Sequence, residues 1–101
     1  MFPIGLDELR LFAKHRGVEI LLENIPNGLS SAERLLMFLV QTHLDMGFCF
    51  DTGHANVMGG VESEFELMKD RIRSLHVHDN DGVKDSHLFP TLAKGGTIDW
   101  K

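Results

Sequence analysis

The sequence predicts an α/β protein of about three βα units with parallel strands. Three observations predict it. Segments with helically spaced apolar residues alternate three times with short apolar runs, at roughly 25–30 residues per unit. The short runs are apolar nearly throughout, as strands are when both sheet faces are covered. Each run also closes on a charged or imidazole side chain: Glu23, then Asp51, then His76 and His78.

The elements follow in order. "LDELRLFAKHRG" sets Leu6, Leu9, Phe12 and Ala13 on one helical face, with Asp7 as the expected N-cap and Gly17 as the stop. "VEILLEN" reads as a strand and "IPNG" as the turn that closes it. "SSAERLLMFLVQTHL" is a second helix, with Ser30 and Glu33 at the spacing of a capping box. "MGFCFDTG" is the second strand. "SEFELMKDRI" is a third helix, where Ser63 and Glu66 repeat the capping spacing, and "RSLHVHD" is the third strand. The remaining residues read mostly as loop, with a further helix expected to open near Asp99. No linker or low-complexity stretch interrupts the chain, so residues 1–101 are expected to form a single, incomplete domain.

Composition narrows the function classes. The 101 residues are 43% hydrophobic and 25% charged, ordinary for a globular domain. The net charge of −5, with Arg71 and Arg73 as the densest basic spot, argues against nucleic-acid binding, which needs a basic stripe to neutralise phosphates. No apolar run approaches the roughly 18–20 residues of a membrane helix, and no secretion signal opens the chain. The lone Cys49 lies in an apolar strand and is expected to be a buried thiol in a reducing cytoplasm. Six histidines, three of them between residues 76 and 87, point toward metal or acid–base chemistry.

Ligands bind beyond the C-terminal ends of the strands in open α/β sheets and closed α/β barrels alike. Side chains alternate along a strand, so Glu23 shares a face with Leu21, Asp51 with Cys49, and His76 with His78. If those faces turn inward, two carboxylates and an imidazole converge from three neighbouring strands, a suitable donor set for Mn²⁺, Mg²⁺, Co²⁺ or Zn²⁺. Taken singly, each has a plainer reading: an acid at a strand end commonly caps a turn, and a lone interior histidine is commonly satisfied in the core.

"LLENIPNG", "FDTGHAN", "LHVHDNDGVKDSH" and "GGTIDW", in this order and spacing, resemble the sugar isomerase/epimerase group with the xylose-isomerase-like TIM barrel. That superfamily includes the apurinic endonucleases of the endonuclease IV type. The resemblance implies a partial (β/α)8 barrel and a divalent metal bound by Glu23, Asp51 and His76. It implies that Glu23 is also one of two acid–base carboxylates, and that the substrate is a sugar or sugar phosphate. It gives His54 a substrate contact, or a further metal in an endonuclease-like site, where Asp85 and His87 would hold the additional zinc. For Asp85 and His87 the alternative is a loop-ordering hydrogen bond. His78 matches no ligand position of the family and is expected to line the pocket. His15 and His43 are expected at the surface.

Two departures qualify the match. The loop "AKGGTIDW" carries extra residues where the family commonly has Gly-x-Gly. A complete barrel also needs roughly 250 residues, so the second catalytic glutamate and last ligand, which the family places on the eighth strand, are not expected here. The expectation is therefore a fragment of a metal-dependent isomerase/epimerase with little turnover alone. The alternatives are an apurinic-endonuclease-like zinc phosphodiesterase and a non-catalytic half-barrel. Open strand edges further predict association, with another copy or with the missing part of the barrel.

Overall fold

The computed structural model describes residues 2–91 and 94–101. Helix α1 (Phe2–Lys14) leads to β1 (Leu21–Glu23), α2 (Ala32–Thr42), β2 (Gly47–Asp51), α3 (Thr52–Met58), α4 (Val61–Met68), a 3₁₀ turn (Lys69–Arg71) and β3 (Ile72–His76). The strands form one parallel sheet in the order β1-β2-β3. This is the expected α/β architecture of successive βα units.

The central strand sets the layers. Every residue of β2 is buried. Phe48 and Phe50 point into the helix layer, where they pack with Leu35 and Leu39 of α2, Met46, Ala55 and Met68. Phe50 also meets Phe65 of α4 edge to face at 5.8 Å. By alternation Cys49 and Asp51 face the other side of the sheet. There β1 is only half-buried and β3 is mostly exposed.

Several local expectations shift. Helix α1 begins before Asp7, so Asp7 is not its N-cap; the carboxylate pairs instead with Arg10 one turn on, at 2.8 Å. Gly17 does end the segment, at φ 71°. The first strand shrinks from "VEILLEN" to three residues, because only these lie opposite β2 in register. The cap of α2 is Ser31, which accepts the Arg34 N–H, and not Ser30. Ser30 is already committed to the preceding turn: its N–H goes to Asn27 Oδ1 and its carbonyl accepts from Ile25.

Ser63 lies inside α4, donating back to the carbonyls of Gly59 and Gly60, and the cap position is Gly60. The reason is an additional helix, α3, that the apolar spacing of "TGHANVM" does not reveal. Asp51 nucleates it by accepting the His54 N–H at 2.8 Å. Gly60, at φ 112°, then redirects the chain into α4. No helix opens near Asp99; the tail stays irregular, and one antiparallel bridge pairs Asp79 with Leu88. Ala93, in the loop before "IDW", lies outside the described residues. Among the described residues no helix is long and apolar enough to cross a membrane.

Candidate functional site

The C-terminal ends of β1 and β2 are locked together by Asn24, which is 1% exposed. Its amide donates to the Asp51 carbonyl at 3.1 Å and accepts the Asp51 N–H at 2.8 Å, extending the β1–β2 pairing one residue past Glu23. Asp51 in turn lies opposite His76 in the β2–β3 register. These pairings bring Glu23, Asp51 and His76 together: His76 Nδ1 is 2.9 Å from Glu23 Oε2 and 3.8 Å from Asp51 Oδ2. All three sit on the sheet face away from the helices.

The two oxygens of Asp51 serve different ends. Oδ1 caps α3 and lies 2.6 Å from His78 Nε2. Oδ2 faces His54 Nδ1 at 3.4 Å and His76. The carboxylate is therefore held on one side and offered on the other, the orientation of a monodentate ligand. Cys49 lies one layer deeper on the same face, within 4.8 Å of donor atoms of Glu23 and His76. Burial and the Glu23 carboxylate push its thiol pKa up, so it stays protonated.

A second constellation adjoins the first. His54, on the first turn of α3, places Nε2 3.1 Å from Asp85 Oδ2, and Asp85 Oδ1 lies 3.3 Å from His87 Nδ1. His54 Nδ1 meets the Asn24 carbonyl at 2.8 Å. Burial alone would push His54 down, but the Asn24 carbonyl and the Asp51 and Asp85 carboxylates outweigh it and hold the imidazole pKa above its ordinary value. His78 is also here, its ring stacked on that of His87 at 4.0 Å. An open cleft runs in front of Asp51, His76, His78 and His87. His15 and His43 stand apart from both constellations; His43 ends α2 in the left-handed region.

Two residues that shape the site stand in the sequence without an assigned role. Asp79, 3% exposed, collects the N–H groups of Asn80, Thr97, Ile98 and Trp100 on its two oxygens, and so folds "GGTIDW" back across the end of β3. With its oxygens so occupied, it is unavailable to an ion. Burial raises its pKa, yet the four donors prevail and hold it below the usual carboxylate range. Asn80 joins the loop to α3 through the Gly53 carbonyl and Asn56. The signal that could have found both is the Asp-Asn pair directly after a strand, a common sign of side chains that bond nearby backbone.

Residues 5–101 match the family model of the xylose isomerase-like TIM barrel. The uncharacterized protein y4fM of Sinorhizobium fredii is 32% identical over 95% of this chain and 31% of its own length. The uncharacterized protein MJ1311 of Methanocaldococcus jannaschii is 33% identical over 82% of this chain and 31% of its own. Among solved structures, a D-tagatose 3-epimerase-like protein superposes with a TM-score of 0.78 at 32% identity, covering 96% of this chain and 38% of that one. The chain thus spans about a third of the curated relatives it matches, and its open sheet is part of a barrel. It belongs to the xylose isomerase-like TIM barrel family.

Proposed function

We propose that this chain forms the metal-binding and proton-transferring part of a sugar or sugar-phosphate isomerase/epimerase. The observation that carries the reading is the meeting of Glu23, Asp51 and His76 from three adjacent parallel strands, with His76 Nδ1 2.9 Å from Glu23 Oε2 and 3.8 Å from Asp51 Oδ2. The donor set fits a divalent ion such as Mn²⁺, Mg²⁺, Co²⁺ or Zn²⁺: two carboxylates and one imidazole, net anionic, at the ligand-binding end of the strands. When bound, such an ion polarises a substrate carbonyl and stabilises the charge that develops beside it.

The chain's own residues do the rest. Glu23, whose Oε2 lies 2.9 Å from His76 Nδ1, removes or returns the proton on the carbon beside that carbonyl, as general base or acid. Asp51, fixed through Oδ1, would offer Oδ2 as a ligand when an ion is bound. His54, fixed by the Asn24 carbonyl, contacts the substrate. Epimerisation also needs an acid on the opposite face of the carbon, and this part of the barrel does not supply one. The 101 residues alone are therefore expected to show no steady turnover.

A sugar at the ion is read directly by proton relaxation. In solutions of ketoses and ketose phosphates, the Mn²⁺-loaded chain should relax the sugar protons, and Asp51→Asn should abolish the effect while weakening Mn²⁺ binding at least about tenfold. No relaxation with any ketose, or full relaxation in Asp51→Asn, would overturn the reading. A second reading, a zinc phosphodiesterase of the apurinic-endonuclease type, is favoured by His54, Asp85 and His87 lying together. Two or three bound zinc ions, and relaxation of an abasic oligonucleotide in place of a ketose, would select it.

A further inference from the structure

Residues 87–91 present an aromatic ring that the polypeptide itself does not use. Phe89 is 76% exposed and lies outside the core cluster. A large apolar side chain at a loop tip is ordinarily free to turn away from water; this one is held. Leu88, just before it, is pinned on both sides: its N–H donates to the Asp79 carbonyl and its carbonyl accepts the Asp79 N–H, each at 2.8 Å. Pro90, just after it, biases Phe89 toward extended backbone.

The backbone around the ring is strained as well. Among the described residues, His43, His87 and Thr91 are the non-glycine positions in the left-handed region. His43, at φ 58°, ends α2, where this conformation is common. His87 at 54° and Thr91 at 63° instead bracket Leu88–Pro90. A β-branched residue such as Thr91 is an outlier there, and strain of this kind clusters beside functional clefts. Here no burial of Phe89 offsets it. The strained loop therefore positions the ring for a contact from outside the polypeptide.

The cleft identifies that contact. Asp51 and His76, two of the residues that would hold the ion, line the same cleft as Leu88, Phe89 and Pro90. A ligand anchored at the ion thus continues along the cleft toward the ring. A sugar suits both ends: its oxygens bind an ion, and the hydrogens on one face of its carbon skeleton are drawn to the electron-rich face of an aromatic ring. No lysine or arginine is among the described residues that line the cleft, and Asp85 stands 3.9 Å from His78 within it. A phosphate there would give up water against hydrocarbon and carboxylates with no cation in return. We propose that Phe89 is a specificity-determining residue of this site, a fixed platform on which the C–H face of an unphosphorylated ketose stacks. The inference rests on the isomerase/epimerase reading and narrows its substrate class from sugar or sugar phosphate to the free sugar.

Matched pairs of a ketohexose and its 6-phosphate, titrated into the Mn²⁺-loaded chain with proton relaxation as the readout, provide the test. The free ketohexose should bind at least about fivefold tighter than its phosphate. Phe89→Leu keeps the apolar bulk but removes the ring. It should weaken the ketohexose about fivefold with Mn²⁺ affinity unchanged, whereas Phe89→Tyr should keep the native affinity. Phe89 lies outside the core cluster, so both variants should fold, as circular dichroism will show. The platform is overturned if Phe89→Leu binds the ketohexose as tightly as the native chain, if Phe89→Tyr falls as far as Phe89→Leu, or if the phosphate binds as tightly as the free sugar. Relaxation of no ketose removes the isomerase/epimerase reading and the platform together. Relaxation that Phe89→Leu leaves unchanged removes the platform alone.

Discussion

Asp79 holds its charge in the interior because four N–H donors converge on it, and that makes it the residue on which the cleft's outer wall depends. Replacing it by alanine would leave the buried Asn80 N–H and the N–H groups of Thr97, Ile98 and Trp100 without their acceptor. Asp79→Ala should cost about 2–3 kcal/mol of stability, with the Trp100 fluorescence shifting to that of a solvated indole; an unshifted spectrum would count against the tether. The pH dependence has a definite sign. A carboxyl whose folded pKa is depressed contributes stability that is present above about pH 4, its unfolded value, and is lost as pH falls through the folded value. This tether should therefore loosen only in acid. At this scale the sequence was readable where chemistry and strand position coincide, as at Glu23, Asp51 and His76. The place of His78 on the cleft was readable too; the role of Asp79 was not, because its partners arrive from residues 97–100 through tertiary folding.

Helix and strand boundaries follow the same division. β2 and the C-terminal end of α1 are legible because an apolar run and a glycine act locally. Helix α3 is not, since a cap by Asp51 and packing of Ala55 override a segment with no apolar period. The N-terminus of α2 is another tertiary effect: Glu64 of α4, 8% exposed, accepts the Ala32 N–H at 3.3 Å and so ties the two helices together. Burial raises the Glu64 pKa, and the Ala32 N–H only partly offsets this. For an acid with a raised folded pKa the protonated form is the one the fold favours. Its contribution is thus present at low pH and lost as pH rises through about 4.3 and then the folded value. Glu64→Gln keeps an acceptor for Ala32 and removes the charge. It should melt higher than the native chain at pH 7, with the gap closing below about pH 4. A lower melting temperature at pH 7 would show that the charge itself is needed for the cap.

At the scale of the whole molecule, the sheet has two unpaired edges, and their surroundings are apolar. Leu75 and Val77, at and just past the end of β3, are 54% and 50% exposed, and Phe89 beside them is 76% exposed. At the other edge Leu29 is 81% and Ile25 42% exposed, next to Met37 of α2 at 47%. In a closed barrel each strand has a neighbour and the inner face is filled by side chains from all the strands. Here three strands leave that face open, which explains why His76 is 58% exposed while Asp51, in the central strand, is 2% exposed. Open edges and contiguous apolar surface drive pairing with any available strand. The chain is therefore expected to self-associate at micromolar concentration, seen as a rising sedimentation coefficient in analytical ultracentrifugation. Leu75→Lys with Val77→Lys places like charges along the β3 edge and should shift the association at least about tenfold toward monomer without unfolding the core, because neither side chain belongs to the cluster around Phe48. Association unchanged in that variant would move the contact to the β1 side. A monomer throughout would mean that the exposed apolar edges do not suffice to pair.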